Sequence, residues 1–152
     1  MAQQEYKLTL LDKNEPIEIF VKSEWIPQKE DEAFLIQEVV ATIEGNDISL
    51  EQVKYRDTDI YFSFITKNNL HRNSGVLIAN QIIEPNGGVS SGNFMNELKI
   101  YNTNGEEIPI GQMGIGPKFD FSFGIDLTDV SSIEQGFSIK NARYLLYRYE
   151  KK

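Results

Sequence analysis

The sequence predicts an all-β domain: a two-sheet antiparallel sandwich of about eight strands with one or two short helical turns. Three observations predict it. Apolar and polar residues alternate in most segments, clusters of Gly, Asn, Asp and Pro separate those segments, and helical periodicity is scarce. The chain of 152 residues has the size of one domain, so 1–152 is predicted to be a single domain, with residues 1–4 outside its ordered part.

The clearest strand covers residues 119–125, where Phe or Ile occupies every second position and Asp, Ser and Gly lie between them. Such alternation is typical of a half-buried antiparallel strand. Further strands are predicted, in chain order, over 6–10, 17–21, 33–43, 59–66, 76–83, 97–101, 108–110 and 136–149. Turn-forming residues over 12–16 and 84–88, and the Asn104-Gly105 pair, predict the hairpins that connect some of them.

The last predicted strand, 136–149, contains a change of phase. Its apolar positions begin on Phe137 and Ile139 and continue on Ala142 and Tyr144. A shift of one residue predicts a β-bulge, which we place at Lys140-Asn141.

A helical turn is predicted over 129–135, between the last two strands. Residues 49–52 fit a helical capping box, but the residues after them do not sustain an amphipathic helix. We therefore interpret 48–55 as an edge strand with Ile48 and Leu50 facing inward.

Charge and composition exclude several classes of protein. Lys and Arg number 15 against 23 Asp and Glu, and a net charge of −8 argues against nucleic-acid binding. Without cysteine there is no disulfide, thiolate metal site or cysteine nucleophile. No apolar run has the length of a membrane helix, and the N-terminus does not resemble a signal peptide. We expect no transmembrane segment, and a cytoplasmic location unless a leader has been removed.

No catalytic residue, metal site or cofactor is predicted. His71, the single histidine, lies among loop-forming residues and is expected to be solvated. Ser90 and Ser91 are flanked by glycines but serve equally well as turn residues. The glycine-rich segment 111–117 lacks the spacing of a phosphate loop, and we expect a surface connection with several positive φ angles.

Acidic residues leave two possibilities open. Carboxylates concentrate at 29–32, 57–59 and 126–129. Loop carboxylates can bind calcium without the twelve-residue calcium loop. Two carboxylates that meet in space can also support hydrolysis.

Trp25, Tyr101 and Tyr147 are the candidate binding residues. Together with Tyr149 they are the rings expected to be exposed, whereas Tyr61 and Tyr144 are expected to pack inward. Exposed aromatic faces can stack on sugars, so a shared exposed face for the three candidates would favour a carbohydrate-binding sandwich.

Two stretches carry a resemblance to a known class of domain. The first is Gln37–Glu44, followed by Tyr55 and the strand 60–64, and the second is Phe121–Val130 with the final strand. Both resemble the immunoglobulin-like β-sandwich modules of Gram-positive extracytoplasmic proteins, including lipoproteins and membrane-anchored regulators. The Cys-Trp-Cys signature of antibody domains is missing. The resemblance implies a module that binds partners or positions other domains, without catalytic residues.

The sequence therefore predicts a non-enzymatic binding or protein-interaction module, an extracytoplasmic domain of a larger or anchored bacterial protein, with a protein partner. We expect the partner to meet an exposed sheet face, an edge strand or the loops around Leu70 and Ser90. The alternatives are a carbohydrate-binding β-sandwich and a carboxylate-based hydrolase, and the latter requires a cleft where two carboxylates converge.

Overall fold

A computed structural model describes residues 6–86, 88–116 and 118–152, without the side chains of 13–15 and 91, and confirms the all-β sandwich of two antiparallel sheets. The strands are β1 (Tyr6–Val21), β2 (Ala33–Ile43), β3 (Asn46–Tyr55), β4 (Asp59–Lys67), β5 (Ser74–Ala79), β6 (Gln81–Ile83), β7 (Val89–Ser91), β8 (Lys99–Asn102), β9 (Glu107–Ile108), β10 (Met113–Ile115), β11 (Phe121–Asp126) and β12 (Phe137–Lys151). Only β6, β7, β9 and β10 are shorter than four residues. Residues 1–4, predicted to lie outside the ordered domain, are outside the described residues.

Each sheet has a long strand at or near its centre. In the first sheet β12 pairs with β1 on one edge and with β8 and β5 on the other, and β9 extends β8. The second sheet has the order β10-β11-β4-β3-β2. Strands β6 and β7 form a separate hairpin. The first and last strands of the chain therefore lie side by side.

Phenylalanine rings fill the space between the sheets. Phe62 and Phe64 of β4 stack on Phe123 and Phe121 of β11, with ring centroids 5.4 and 4.6 Å apart. Phe137 of β12 meets Phe62 edge-on across the sandwich at 5.0 Å. All five rings are buried. Because buried aromatic area contributes most per residue to the hydrophobic term, this cluster is the centre of the core.

One tyrosine is buried inside this core. The hydroxyl of Tyr144 lies 2.9 Å from Thr66 Oγ1, which in turn donates a hydrogen bond to the carbonyl of Phe119 at 2.6 Å. Tyr144 therefore donates to Thr66 across the two sheets. Burial raises the pKa of Tyr144 above its ordinary value, because the phenolate would have to leave water, and the hydrogen bond to Thr66 only partly offsets this.

The hairpin predicted at 12–16 is wrong, because β1 continues through it. The register of β1 on β12 jumps from Leu10 opposite Tyr147 to Asn14 opposite Leu145. The extra residues of β1 interrupt its regular pairing, and β1 then pairs with β12 again. Because β12 spans 15 residues, it provides backbone hydrogen-bond partners for β1 on both sides of the irregularity, and no turn is needed.

The bulge predicted at Lys140-Asn141 is present one residue further along, at Asn141-Ala142. Pro16 lies opposite Arg143 and Glu18 opposite Lys140, so two residues of β12 face one residue of β1. Asn141 has a φ of 78°, the left-handed conformation that bulges use and that asparagine tolerates.

Two strand assignments need correction. Residues 48–55 form β3, an inner strand between β2 and β4, although Ile48 and Leu50 are buried as predicted. Alternation of apolar and polar residues indicates which face of the sheet a residue occupies. It does not indicate whether the strand pairs with one neighbouring strand or with two. The strand predicted over 76–83 is split at the buried Asn80, whose amide donates to the carbonyl of Phe119 at 2.9 Å.

The strand predicted over 119–125 starts two residues later, at Phe121. Phe119 has a φ of 60° and packs in a second, smaller cluster around Tyr147 and Tyr149. Its carbonyl accepts hydrogen bonds from Thr66 and Asn80 instead of a neighbouring strand.

Short helices connect the strands. A 3₁₀ helix over Leu127–Ile133 joins β11 to β12, close to the predicted turn, and another over Ser23–Trp25 follows β1. The single α-helix described, α1, spans Phe94–Glu97.

Two asparagine side chains close the outer edge of β5. Asn68 accepts a hydrogen bond from the amide of Ile78 at 2.8 Å and donates to the carbonyl of the same residue at 3.1 Å. Asn46 donates to the carbonyl of Val76 at 2.9 Å. These amide groups occupy the positions that the backbone of a further strand would take.

Candidate functional site

An aromatic platform lies on the outer face of the first sheet. Phe20 of β1 and Tyr101 of β8 both pair with Ser138 of β12, so the three residues form one row across adjacent strands. Their neighbours along each strand, Ile19 and Ile139 among them, are buried, and the row therefore faces outward. Two strand spacings separate the backbones of Phe20 and Tyr101 by about 10 Å, and Ser138 lies between them.

The position of each ring depends on a local departure from regular geometry. Gly136 has a φ of +97°, and a Cβ there would lie 2.7 Å from Phe20 Cζ, so the ring of Phe20 covers a residue without a side chain. The bulge directs Asn141 toward the other ring, where its Nδ2 lies 3.5 Å from the Tyr101 hydroxyl. Bulges commonly re-aim a side chain in this way.

The platform, defined as Phe20, Tyr101, Ser138, Lys140 and Asn141, borders an open cavity of ≈ 600 Å³. Asn102, Thr103 and Gly105 complete its lining. Phe20 is 49 % exposed. The hydroxyls of Ser138 and Thr103 have no hydrogen-bond partner within the described part of the chain, and Asn141 is the only such partner of the Tyr101 hydroxyl. This surface therefore combines accessible rings with uncommitted hydroxyl and amide groups.

Two pairs of oppositely charged side chains lie at the platform and beside it. Lys140 Nζ lies 4.0 Å from Glu18 Oε1, and Lys99 Nζ lies 3.5 Å from Glu107 Oε2. Both pairs are solvated and contribute little to stability. Their effect on a ligand is to leave the platform without a strong net charge.

The three sequence-predicted binding residues do not share one face. Tyr101 belongs to the platform. Tyr147 is only 4 % exposed, because it packs with Leu77 in the second cluster, and its hydroxyl accepts a hydrogen bond from the amide of Ile83. The expectation that Tyr147 is exposed is wrong, and the same holds for Tyr149. Trp25 lies on the 3₁₀ helix after β1, packs against the main core, and has Lys22 Nζ 5.2 Å from its ring centroid.

Tyr61 also differs from its prediction, because it faces outward on the second sheet. Its hydroxyl is 2.5 Å from Ser122 Oγ, and the guanidinium of Arg56 lies over its ring at 4.0 Å. Arg56 is held in turn by Asp59 through two hydrogen bonds of 2.7 Å, and it donates to Gln112 Oε1 at 3.0 Å. The hydrogen bonds to Asp59 raise the pKa of Arg56. We call these five residues the arginine network.

Glycines make room for the arginine network. A Cβ on Gly124 would overlap the carboxylate of Asp59, and one on Gly114 would lie 3.2 Å from Ser122 Oγ. The expectation of several positive φ angles in 111–117 is wrong for its described glycines, because none of the three has one. The absence of side chains lets this segment lie close to β11. The amide of Gly111, for example, donates a hydrogen bond to the carbonyl of Gly124.

The other candidates have structural surroundings. His71 is exposed, as predicted, and its backbone is held by the Tyr149 hydroxyl. Ser90 donates to Glu84 within the β6–β7 hairpin at 2.6 Å. No three His, Asp or Glu side chains in the described residues are arranged to hold a metal ion. Five of the cavities that border the described residues are each lined by at most one carboxylate side chain, so these cavities give the hydrolase alternative no support.

The residue that sequence reasoning missed is Phe20. It is the apolar exception in the outward phase of residues 17–21, since Ile17, Ile19 and Val21 all face the core. An aromatic residue out of phase in an otherwise regular strand was the available signal. Asn141 reaches Tyr101 because β12 pairs with β8, and no local pattern in the sequence indicates that pairing.

The fold and this site define an antiparallel β-sandwich with an open aromatic surface. No protein-family model matches the chain, and comparison with curated proteins and with solved structures found no significant match. The helices in the described residues, at most seven residues long, are too short to cross a membrane.

Proposed function

We propose that this chain is a non-enzymatic binding module and that its ligand docks on the aromatic platform. One observation carries the proposal: Phe20 and Tyr101 flank Ser138 in a single outward row, with an open cavity between them. Accessible aromatic rings next to uncommitted polar groups are characteristic of recognition surfaces.

A displayed library of random peptides and an array of oligosaccharides, both screened against the folded domain, test this proposal. Each screen is repeated with the double variant Phe20→Ala/Tyr101→Ala. We expect ligands that bind the natural domain at least tenfold more tightly than the variant, because truncation of a central ring commonly costs that much. If every ligand obtained binds both proteins equally, the platform is not the binding site.

A second candidate function, contact with a protein, is favoured by an apolar ridge that the first sheet and the β6–β7 hairpin form together. Leu10 of β1 and Ile82 of β6 are 54 % and 40 % exposed, and cavities of ≈ 230 and ≈ 410 Å³ are each lined by both residues. Exposed aliphatic side chains beside cavities fit the anchoring side chains of a protein partner. Peptides that lose binding to Leu10→Ser/Ile82→Ser, but not to the platform variant, would identify the ridge as the contact.

The immunoglobulin-like resemblance stays a prediction, and with it the proposal that the domain works outside the cytoplasm as part of a larger or anchored bacterial protein. Two stacked antiparallel sheets support it as an architecture. The strand order differs from that of antibody domains, whose last strand does not pair with the first in the ABED sheet. Cell fractionation with an antibody to the domain tests the location.

A further inference from the structure

We propose that the ligand of the aromatic platform is a neutral carbohydrate chain, an inference that rests on the function proposed above. The platform offers three features that a sugar chain requires together: accessible ring faces, groups that both donate and accept hydrogen bonds, and no strong net charge.

The rings supply the apolar part of the recognition. A pyranose has a face of C–H groups that packs flat on an aromatic ring, and its hydroxyls project from the edge. The backbones of Phe20 and Tyr101 lie about two strand spacings, or about 10 Å, apart, which is comparable with the length of a disaccharide. An extended chain that crosses the three strands therefore meets both rings with different sugar units.

The groups between and around the rings match sugar hydroxyls. Ser138, Thr103 and Tyr101 present hydroxyls, and Asn141 presents an amide with a carbonyl oxygen that is not engaged within the described residues. Hydroxyl and amide groups donate and accept, as sugar hydroxyls do. A peptide ligand would gain more from apolar pockets, but Phe20 is the single largely exposed apolar side chain bordering this cavity.

Charge selects a neutral chain over an acidic one. Lys140 and Lys99 each lie beside a glutamate, whose negative charge offsets their attraction for a sugar carboxylate or sulfate. The domain carries a net charge of −8, and its long-range field repels polyanions. A neutral chain meets neither obstacle.

An oligosaccharide array tests the inference. The probes are neutral gluco-, manno-, galacto- and xylo-oligosaccharides, with oligogalacturonides as the anionic arm, and affinity electrophoresis in the corresponding polysaccharide gives the dissociation constants. We expect at least one neutral series to bind. We expect affinity to fall at least tenfold in Phe20→Ala and in Tyr101→Ala.

A matched control is Val39→Ala, which truncates a side chain of similar exposure, 55 %, on the outer face of the second sheet and is expected to leave binding unchanged. Circular dichroism of every variant verifies the fold. Binding only to the anionic arm, or no binding to any neutral series, overturns the carbohydrate inference. If peptides then bind in a manner that depends on Phe20 and Tyr101, the proposed function survives without it. If no probe of either kind depends on the two rings, both fail.

Discussion

Tyr61 and Tyr101 lie on the outer faces of opposite sheets, and their surroundings differ. The Tyr61 hydroxyl is 2.5 Å from Ser122 Oγ, and its ring carries the guanidinium of Arg56. The Tyr101 hydroxyl has one long contact, 3.5 Å from Asn141 Nδ2. One tyrosine is committed to the fold and the other is available to a ligand.

The comparison shows that exposure alone does not identify a binding surface. Both tyrosines are partly exposed on the outer face of a sheet. What separates them is whether the neighbouring polar groups satisfy each other, since satisfied groups have little to gain from a ligand. By this criterion the arginine network is structural and the platform is the candidate site.

The largest effect is expected from Gly124→Ala, which adds a methyl group where the Asp59 carboxylate lies. The carboxylate is displaced and its pairing with Arg56 is broken, so we expect a loss of about 2 kcal/mol in the free energy of unfolding. The value is below that of a fully buried pair because the Arg56 side chain is 33 % exposed. Urea denaturation measures it.

The control for Gly124→Ala is Gly92→Ala. A Cβ on Gly92 would have its nearest neighbours at 3.9 Å, an ordinary contact, and the change is expected to stay within about 0.5 kcal/mol. If both variants lose the same free energy of unfolding, the arginine network does not depend on the absence of a side chain at Gly124.

A third tyrosine extends the comparison into the core. Because the pKa of Tyr144 is raised in the folded state, the unfolded chain loses this proton first, from its ordinary pKa of about 10 upward. Above that pH the folded state binds more protons than the unfolded state, so stability falls as pH rises. We expect Tyr144 to account for a loss of about 1.4 kcal/mol between pH 9 and about pH 11.

Denaturation of the natural protein and of Tyr144→Phe at both pH values isolates this contribution. The variant is expected to be less stable at pH 9, because it lacks the hydrogen bond to Thr66, but to lose less on going to high pH. Parallel losses in the two proteins would contradict a buried, neutral Tyr144.

The smallest effects come from removing the two hydroxyls compared above. Tyr61→Phe leaves Ser122 Oγ without its partner, and we expect a loss of about 1 kcal/mol in the free energy of unfolding. Tyr101→Phe removes a hydroxyl with one long contact and should change stability by less than about 0.5 kcal/mol. A larger loss for Tyr101→Phe than for Tyr61→Phe would reverse the assignment of the two faces.

Local patterns were sufficient to predict most of the fold. Alternation identified the buried faces of β4 and β11 and the inward side chains Ile48 and Leu50, because alternation follows directly from the geometry of a strand. The bulge near Asn141 was predictable for the same reason, since a change of phase has few other causes. The continuous β1 was not predictable, because its irregularity is compensated only by the distant partner β12.

The candidate site was predicted in part. Tyr101 was identified from its ring alone, whereas Phe20, Ser138 and Asn141 join it through strand pairing between residues far apart in the chain. Tyr147 was wrongly expected to be exposed, because no local pattern shows that the β6–β7 hairpin and the side chain of Leu77 pack around its ring. Which outer face is covered depends on tertiary packing.

The amide of Asn68 also has a consequence for the protein in concentrated solution. The Asn68 side chain bonds to both the backbone amide and the carbonyl of Ile78. A strand of a neighbouring molecule therefore cannot use these two groups to pair with β5. Protection from fibril-like assembly thus depends, along this strand, on a side chain from another part of the chain and not on a charged or proline residue in β5 itself.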